Sequence, residues 1–372
     1  MEEKKHETMG VAHQLARKNI ALLHPYRCAR DDYSNGILLD ANENAIGPTS
    51  VPTDSDNHLT LERYPCPYQI PLKQKYASYR GHELSHENIF VGVGSDEAID
   101  LLMRIFCVPG VEEIMITPPT YGMYRVSANV NDLRIVEVPL TEDFDLRVPE
   151  MLAAVTPRTK LMFICSPGNP TAKAIPLDTI EEIANSSYRG LIIVDEAYVD
   201  FSTIPSALSL VHKYPNVVVL QTLSKAFGLA GIRLGFAIAN DDIIQLMNNV
   251  KAPYNVNSLT SEVANNALKN VSTLEKNVAT LLAQRDVVEA KLNELDFVTK
   301  VYPSDANFLL FRLKCCAQEI YKLMADRGIV TRFRGNELHC SECIRVTIGT
   351  EDENNSFIEA LVKIYNEVVT TK

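Results

Sequence analysis

A lysine in an apolar stretch is the residue of this sequence that most clearly suggests chemistry. Lys225 lies in "TLSKAFGLAGIRLG", residues 222–235, among small and apolar residues, and Arg233 follows eight positions later. Such a stretch is partly buried, and burial lowers the pKa of a lysine because it disfavours the charged amine. A neutral lysine amine is a nucleophile that forms a Schiff base with a carbonyl compound. Lys225 is therefore the first candidate catalytic residue.

Asp195 is the second candidate. It follows an apolar run in "LIIVDEAYVDF", thirty residues before Lys225, and Tyr198 comes three residues after it. A carboxylate at the end of a buried strand is costly unless a cation or a hydrogen-bond donor faces it. A structural ion pair would also explain Asp195, so both interpretations stay open at this point.

Four more polar residues follow apolar runs. Ser95 and Asp96 come after "VGVG" and begin a helical pattern with Ser95 as its expected N-cap, "PPTYGMY" places Tyr121 in a loop, and "SPGNPTA" places Asn169 in a sharp turn. A helix start after glycines can hold an anion, and a loop tyrosine can stack on a planar ring. Each residue also has a plain structural explanation, namely a helix start, loop packing or turn chemistry.

Together these residue types match the needs of one cofactor. Thr222, Ser224 and Arg233 supply hydroxyls and a fixed charge that suit a phosphate. A lysine can carry an aldehyde, a carboxylate can keep a pyridine nitrogen protonated, and Asn169 and Tyr198 can hydrogen-bond a ring hydroxyl oxygen. The sequence therefore predicts pyridoxal 5'-phosphate as the cofactor, with Lys225, Asp195 and Tyr198 as catalytic residues.

These residues need a scaffold that brings strand ends together. Between residues 88 and 240, seven short β-rich runs alternate with helical stretches, and several runs are apolar throughout. Continuous apolar runs are typical of strands covered on both faces, so the pattern predicts an α/β fold with a mostly parallel seven-stranded sheet between helices. Ligands bind at the carboxyl ends of the strands in such sheets, where the candidate residues lie.

The later part of the chain has a different pattern. Apolar residues from Leu274 to Leu295 recur close to helical spacing, and the strand-like runs "ANFLLFRL" and "SECIRVTIG" precede a last helical segment. We expect three parts: an N-terminal arm (1–50) that packs on the small domain and a partner subunit, a large domain (51–254) that binds the cofactor, and a smaller α+β domain (255–372).

Composition narrows the possible partners. The 372 residues carry a net charge of −11, so nothing in the overall charge supports binding to nucleic acid or to an anionic membrane. The sequence contains no apolar run of signal-peptide or membrane-spanning length, and we expect a cytoplasmic protein. Cys340 and Cys343 form a C-x-x-C motif, which is a weak zinc or redox signal by itself. We interpret the cysteines as reduced structural thiols and expect no metal.

The ordered series "LLDANEN", "RYPCPY", "VGVGSDEAID", "SPGNPT", "VDEAYVDF", "TLSKAFGLAGIRLG" and "RVTIGT" resembles the fold-type I pyridoxal-phosphate aminotransferases, and among them the histidinol-phosphate aminotransferases. "HPYRCARDD" and "RFRGNEL" look most like the fungal members. One departure is Ala172, where the family usually has glycine. The resemblance implies that Lys225 forms the Schiff base, Asp195 pairs with the pyridine nitrogen, and Tyr121 stacks on the ring.

The resemblance also implies the remaining site residues. The cofactor phosphate would be held by Ser95, Asp96, Thr222, Ser224 and Arg233. Tyr64 would reach the neighbouring subunit's site, which implies a homodimer with shared active sites.

For the substrate, the resemblance implies Tyr26, Asn44, Arg332 and Arg345, with Arg334 close enough to be confused with Arg332. It implies a ping-pong reaction of histidine biosynthesis with two half-reactions. Histidinol phosphate and imidazole acetol phosphate interconvert in the first, and glutamate and 2-oxoglutarate interconvert in the second. An aromatic amino acid aminotransferase and a phosphothreonine-type decarboxylase are the alternatives.

Overall fold

The computed structural model describes residues 10–22 and 61–370, and within them two β-sheets form the framework. The first has seven strands in the order β1-β7-β6-β5-β4-β2-β3. Strand β7 runs antiparallel to β1 and β6, and the other neighbouring pairs are parallel. The predicted mostly parallel seven-stranded sheet is therefore confirmed. Its strands are β1 Ile89–Gly92, β2 Glu113–Ile116, β3 Arg134–Glu137, β4 Thr159–Cys165, β5 Leu191–Asp195, β6 Val217–Thr222 and β7 Gly235–Ile238.

Helices cover both faces of this sheet, so the central strands β4, β5 and β6 are buried almost throughout. This double burial explains why their sequences are apolar without alternation. The helices of this part are α3 Ile70–Arg80, α4 Gly94–Phe106, α5 Met123–Val130, α6 Val148–Ala154, α7 Leu177–Ala184, α8 Asp241–Val250 and α9 Ser258–Ala267, after two short N-terminal helices, α1 Val11–Leu15 and α2 Lys18–Ala21.

Local sequence sets where several helices begin. The side chain of Asn257 accepts a hydrogen bond of 2.8 Å from the backbone N–H of Thr260 and caps α9. Helix α4 has Asp96 and Glu97 in its first turn, where acidic groups interact favourably with the helix dipole. The expectation that Ser95 caps α4 is wrong: the cap position is Val93, because the positive φ of Gly94 turns the chain into the helix two residues earlier.

The second sheet has four antiparallel strands in the order β10-β11-β9-β8. Helices α10, α11 and α12 pack on it around a separate apolar core. The predicted long helix, two strands and terminal helix are all present in this smaller unit. The elements are α10 Val271–Asn293, β8 Val298–Val301, β9 Phe308–Leu313, α11 Ala317–Asp326, β10 Arg332–Phe333, β11 Cys343–Thr347 and α12 Glu351–Thr370.

Tyr26 and Asn44 lie outside the described residues, and so does most of the predicted N-terminal arm. Within residues 10–22 and 61–370, no helix is both long and apolar enough to cross a membrane. The same residues hold no group of three or more His, Cys, Asp or Glu side chains arranged to bind a metal ion.

Candidate active site

A cavity of about 440 Å³ lies between the two sheets, at the edge of the large sheet where β4, β5 and β6 end. Parallel strands end at the same edge, and the register pairs Cys165 at the end of β4 with Asp195 at the end of β5. The cavity wall contains almost all of the predicted site residues that the structure describes. It is formed by Ser95, Asp96, Tyr121, Cys165, Asn169, Asp195, Ala197, Tyr198, Thr222, Ser224, Lys225, Arg233, Arg332, Arg334 and Arg345.

The antiparallel strand β7 explains how Arg233 reaches this edge. Because β7 runs opposite to its neighbours, its first residue, Gly235, pairs with the last residues of both, Gly92 and Thr222. Arg233, just before β7, therefore lies beside the start of α4. A Cβ atom on Gly235 would come within 2.2 Å of the backbone nitrogen of Ser95, so glycine permits this close approach.

Hydroxyls and one guanidinium converge at this end of the cavity. The Thr222 hydroxyl donates to Ser224 Oγ at 2.9 Å, and Arg233 Nη1 donates to the same oxygen at 3.4 Å. Arg233 Nη2 lies 3.5 Å from a carboxylate oxygen of Asp96. Together with the N-terminus of α4, these groups form a pocket whose donors suit a phosphate.

Asp195 is fully buried, and its carboxylate has two described donors. The Tyr124 hydroxyl donates to Oδ2 at 2.7 Å, and the backbone N–H of Ala197 donates to Oδ1 at 3.2 Å. Burial raises the pKa of Asp195 from 3.8 to about 6, despite the opposing effect of the Tyr124 hydrogen bond. No cation of the described chain lies in hydrogen-bond contact with this carboxylate, so the interpretation as a structural ion pair is not supported.

Lys225 follows β6, and its amine lies 5.5 Å from the centre of the Tyr198 ring. Its pKa is lowered, first by burial and then by the nearby positive charges of Arg345 and Arg233. Burial raises the pKa of Tyr198 to about 12, so this phenol stays protonated. The environment of Lys225 therefore favours the neutral, nucleophilic amine, as the apolar sequence around it predicts.

Three arginines reach the cavity from the small sheet. Arg345 on β11 donates to the side-chain oxygen of Asn169 and lies 5.1 Å from the Phe308 ring centre. Arg332 on β10 pairs with Arg345 across the sheet and is exposed. Arg334 is partly buried and forms an ion pair of 2.9 Å with Glu337. Both Arg332 and Arg334 line the cavity, so geometry does not separate them.

Tyr121 and Tyr64 differ in where the structure places them. Tyr121 lies in the cavity wall, where its hydroxyl donates to Asp96 Oδ1 at 3.1 Å. Tyr64 lies outside this cavity, is 52% exposed and stacks on Tyr254 with 4.7 Å between ring centres. Its predicted role in a neighbouring subunit stays a prediction.

Sequence reasoning missed Tyr124, Cys165 and Ala197 as parts of the site. The segment "PPTYGMY" contains both Tyr121 and Tyr124, and its loop character points only to Tyr121. Tyr124 follows Tyr121 by three residues and lies on the first turn of α5. Because residues at this spacing lie on the same side of a helical turn, the spacing indicates that Tyr124 also faces the ends of the strands.

The fold and this site define a class of enzyme: residues 34–361 match the family model of aminotransferase class I and II. Within that class, the chain belongs to the histidinol-phosphate aminotransferase family. It is 46% identical to the histidinol-phosphate aminotransferase of Candida maltosa, covering 95% of this chain and 98% of that protein. The corresponding protein of Saccharomyces cerevisiae is 44% identical, with the same shares covered.

Solved structures support the fold. The histidinol-phosphate aminotransferase of Sinorhizobium meliloti, described in complex with pyridoxal-5'-phosphate, has a TM-score of 0.76 at 24% identity, covering 88% of this chain and 90% of that one. The L-threonine-O-3-phosphate decarboxylase of Porphyromonas gingivalis has a TM-score of 0.70 at 23% identity, covering 82% and 91% respectively. The same fold therefore carries both an aminotransferase and a decarboxylase.

Proposed function

We propose that this chain transfers an amino group between histidinol phosphate and 2-oxoglutarate, with pyridoxal 5'-phosphate held between the two sheets. The reaction would be a step of L-histidine biosynthesis in the cytoplasm. The observation that carries the proposal is the meeting of Lys225, buried Asp195 and the small-sheet arginines in one cavity. Family membership, with relatives more than 40% identical over nearly the whole chain, supports the same reaction.

The residues present fit this cofactor. Asp195 is a buried carboxylate that no cation of the described residues contacts, and such a carboxylate is the partner that a protonated pyridine nitrogen requires. At the other end, a Cβ on Gly94 would come within 2.5 Å of the Arg233 guanidinium, so the glycine leaves room for the groups that would face a phosphate. When bound, pyridoxal phosphate supplies an aldehyde carbon and a ring that withdraws electrons.

The residues of the chain then have separable tasks. Lys225 Nζ, less basic than an ordinary lysine, would accept the proton from the substrate's amino-bearing carbon and donate it again later in the half-reaction. Asp195 would hold a protonated ring nitrogen, and the Tyr124 hydrogen bond holds the carboxylate in place. Asn169 and Tyr198 would orient the ring hydroxyl, and Tyr121 would cover one ring face.

The charges that line the cavity favour the binding of anionic ligands, and histidinol phosphate and glutamate would bind there in turn. Five cationic side chains line it against the two carboxylates of Asp96 and Asp195, in a chain whose overall charge is negative. Arg233 and the hydroxyls beside it would bind the cofactor phosphate. Arg345 would bind the α-carboxylate of glutamate, and Arg332 the substrate phosphate or the distal carboxylate. We also propose a homodimer in which Tyr64 completes the partner's site.

A single-turnover experiment tests this proposal. Purified holoenzyme is mixed with histidinol phosphate without any oxo acid, and the absorption of the cofactor is followed. We expect conversion of the cofactor to its amine form, with imidazole acetol phosphate as product, and reversal on addition of 2-oxoglutarate.

Two other results would contradict it. Conversion by phenylalanine in preference to histidinol phosphate would identify an aromatic amino acid aminotransferase. Release of carbon dioxide from a phosphorylated amino acid, without cycling by 2-oxoglutarate, would identify a decarboxylase.

A further inference from the structure

Cys340 and Cys343 form a closed turn that the proposed reaction does not use. The backbone N–H of Cys343 donates to the carbonyl of Cys340 at 2.9 Å, and both side chains are fully buried. The Cα atoms at the ends of such a turn are less than about 7 Å apart, which overlaps the span of about 4.4–6.8 Å that a disulfide bridges. The backbone therefore already has a geometry that a disulfide can join.

The two thiols have opposite tendencies to ionise. The hydrogen bond from Cys340 lowers the pKa of Cys343 to about 7, and the nearby Arg312 guanidinium acts in the same direction. The same thiol–thiol hydrogen bond raises the pKa of Cys340. Arg312 is held in place by hydrogen bonds to the Tyr302 hydroxyl at 2.7 Å and the His339 carbonyl at 2.8 Å. This asymmetry provides one attacking thiolate and one resolving thiol.

Other cysteines of the chain have different surroundings. Burial raises the pKa of Cys107 well above its usual range, and it raises that of Cys165 to about 12. The Arg17 guanidinium acts on Cys107, but among the described residues neither cysteine has a neighbouring thiol as Cys343 does. The C-x-x-C motif is therefore chemically distinct from these structural thiols.

We propose that Cys340 and Cys343 are a redox modification site that forms a reversible disulfide by exchange with a low-molecular-weight disulfide such as oxidised glutathione. The Cys343 thiolate attacks one sulfur of the small disulfide, which forms a mixed disulfide and releases one small thiolate. Cys340 then loses its proton and attacks the Cys343 sulfur, which releases the second. The two protons of the protein thiols end on the two small thiols, so two protein thiols are oxidised and one small disulfide is reduced.

Access to the pair comes through the loop between β10 and β11. This loop exposes Leu338 and Ser341, and a surface depression is lined by His339, Ser341 and Arg312. Because the thiols lie beneath this loop, exchange requires it to open locally. We therefore expect small disulfides to react faster than protein disulfides.

The turn is joined directly to the arginines of the cavity. Cys343 begins β11, and Arg345 follows two residues later on the same face of the strand. The backbone N–H of Arg334 donates to the carbonyl of Cys343 at 2.9 Å. Bonded sulfurs lie about 2.05 Å apart, closer than hydrogen-bonded ones, so oxidation contracts the turn that positions both arginines. On the proposed function, the oxidised enzyme binds glutamate and 2-oxoglutarate more weakly, because Arg345 would bind their α-carboxylate.

The covalent step is tested without any assay of activity. Holoenzyme is equilibrated in glutathione buffers of graded ratio, its free thiols are alkylated after denaturation, and the peptide with both cysteines is weighed by mass spectrometry. We expect a species lighter by two hydrogens that reduction removes. It should be absent in Cys340→Ser and retained in the control Cys107→Ser. The proposal would be overturned if the disulfide formed in none of the buffers. It would also be overturned if the urea-unfolded chain formed the disulfide to the same extent at the same glutathione ratio.

The coupling is tested on oxidised and reduced holoenzyme. The KM for 2-oxoglutarate should rise by about fivefold or more on oxidation, with a smaller change in kcat. Cys340→Ser should show no response to the buffer, and Cys107→Ser should respond like the wild type. An unchanged KM in enzyme shown to be oxidised would refute the coupling, while absence of aminotransferase activity in the reduced enzyme would count against the proposed function alone.

Discussion

The hydroxyl of Tyr124 donates a 2.7 Å hydrogen bond to Oδ2 of Asp195, so a helix residue holds the carboxylate at the end of the central strand β5. Both side chains are buried. This contact restrains a carboxylate whose negative charge is disfavoured by its surroundings. Asp195 is consequently a poor contributor to the stability of the cofactor-free protein but well suited to bind a cationic ring.

The first prediction concerns the pH dependence of that stability. The pKa of Asp195 is raised from 3.8 to about 6 by burial, so between these values the folded state binds more protons than the unfolded state. Its stability contribution therefore falls as pH rises through this window, by about 3 kcal/mol in total. Asp195→Asn removes the ionisation, and the cofactor-free variant should be more stable than wild type at pH 7–8. Urea unfolding from pH 4 to pH 8 measures the difference, which should disappear near pH 4.

The same variant should lose activity while gaining stability. An amide cannot hold a proton on the pyridine nitrogen by charge, so the affinity for pyridoxal phosphate and kcat should both fall. If cofactor-free Asp195→Asn were less stable than wild type at pH 8, the carboxylate would have a stabilising partner, and our account of its burial would be wrong.

The second prediction concerns Lys225. Lys225→Ala should abolish turnover and leave a folded protein, because the amine that moves the proton is gone while the strands that form the cavity are unaffected. Lys251→Ala is a suitable control, since burial also lowers the pKa of Lys251 but it lies outside the cavity wall. Steady-state rates and circular dichroism of both variants measure the effect. Near-wild-type turnover in Lys225→Ala would refute the assignment.

The third prediction separates backbone strain from crowding at the phosphate pocket. Gly94 and Gly81 have similar positive φ angles of 74° and 71°. A Cβ on Gly94 would meet the Arg233 guanidinium at 2.5 Å, whereas a Cβ on Gly81 would meet nothing within 4 Å. Both alanine variants should lose about 1–2 kcal/mol of stability through the left-handed backbone.

Only Gly94→Ala should also weaken cofactor binding, because it displaces Arg233 from the pocket. Thermal unfolding and titration with pyridoxal phosphate measure the two effects separately. Equal cofactor affinity in the two variants would show that Arg233 does not need its present position.

The fourth prediction concerns substrate recognition. Arg332→Ala should lower kcat/KM for histidinol phosphate by about 10-fold or more, which corresponds to the loss of a hydrogen bond to a charged group. Arg125→Ala is the control, because Arg125 pairs with Glu137 on the surface at 2.8 Å. Arg334→Ala should have a smaller effect, since Glu337 already neutralises part of its charge. The reverse order of the two effects would assign the phosphate to Arg334.

Much of the framework follows from local patterns. The seven apolar runs predict seven strands, because strands buried on both faces are apolar throughout. The helical spacing after residue 270 predicts α10, because a helix buried on one face repeats its apolar residues with the helical period. A polar group at the end of a buried strand destabilises the fold unless a ligand or partner faces it. The position of the candidate residues at strand ends therefore indicates a binding site. The observed start of α4 lies two residues before the expected one, because the backbone conformation of Gly94 decides it and the helical pattern of the following residues does not.

By itself, the sequence determined the strands, the chemical types at their ends and the family resemblance, since these depend on residues close together in the chain. The tertiary structure decided which distant groups meet. The reversed direction of β7 brings Arg233 to Gly94, and the packing of α5 brings Tyr124 to Asp195. The closure of the small sheet against the large one brings Arg345 to Asn169. Such contacts depend on topology and register, because residues 71 to 176 positions apart become neighbours only when the strands and helices pack.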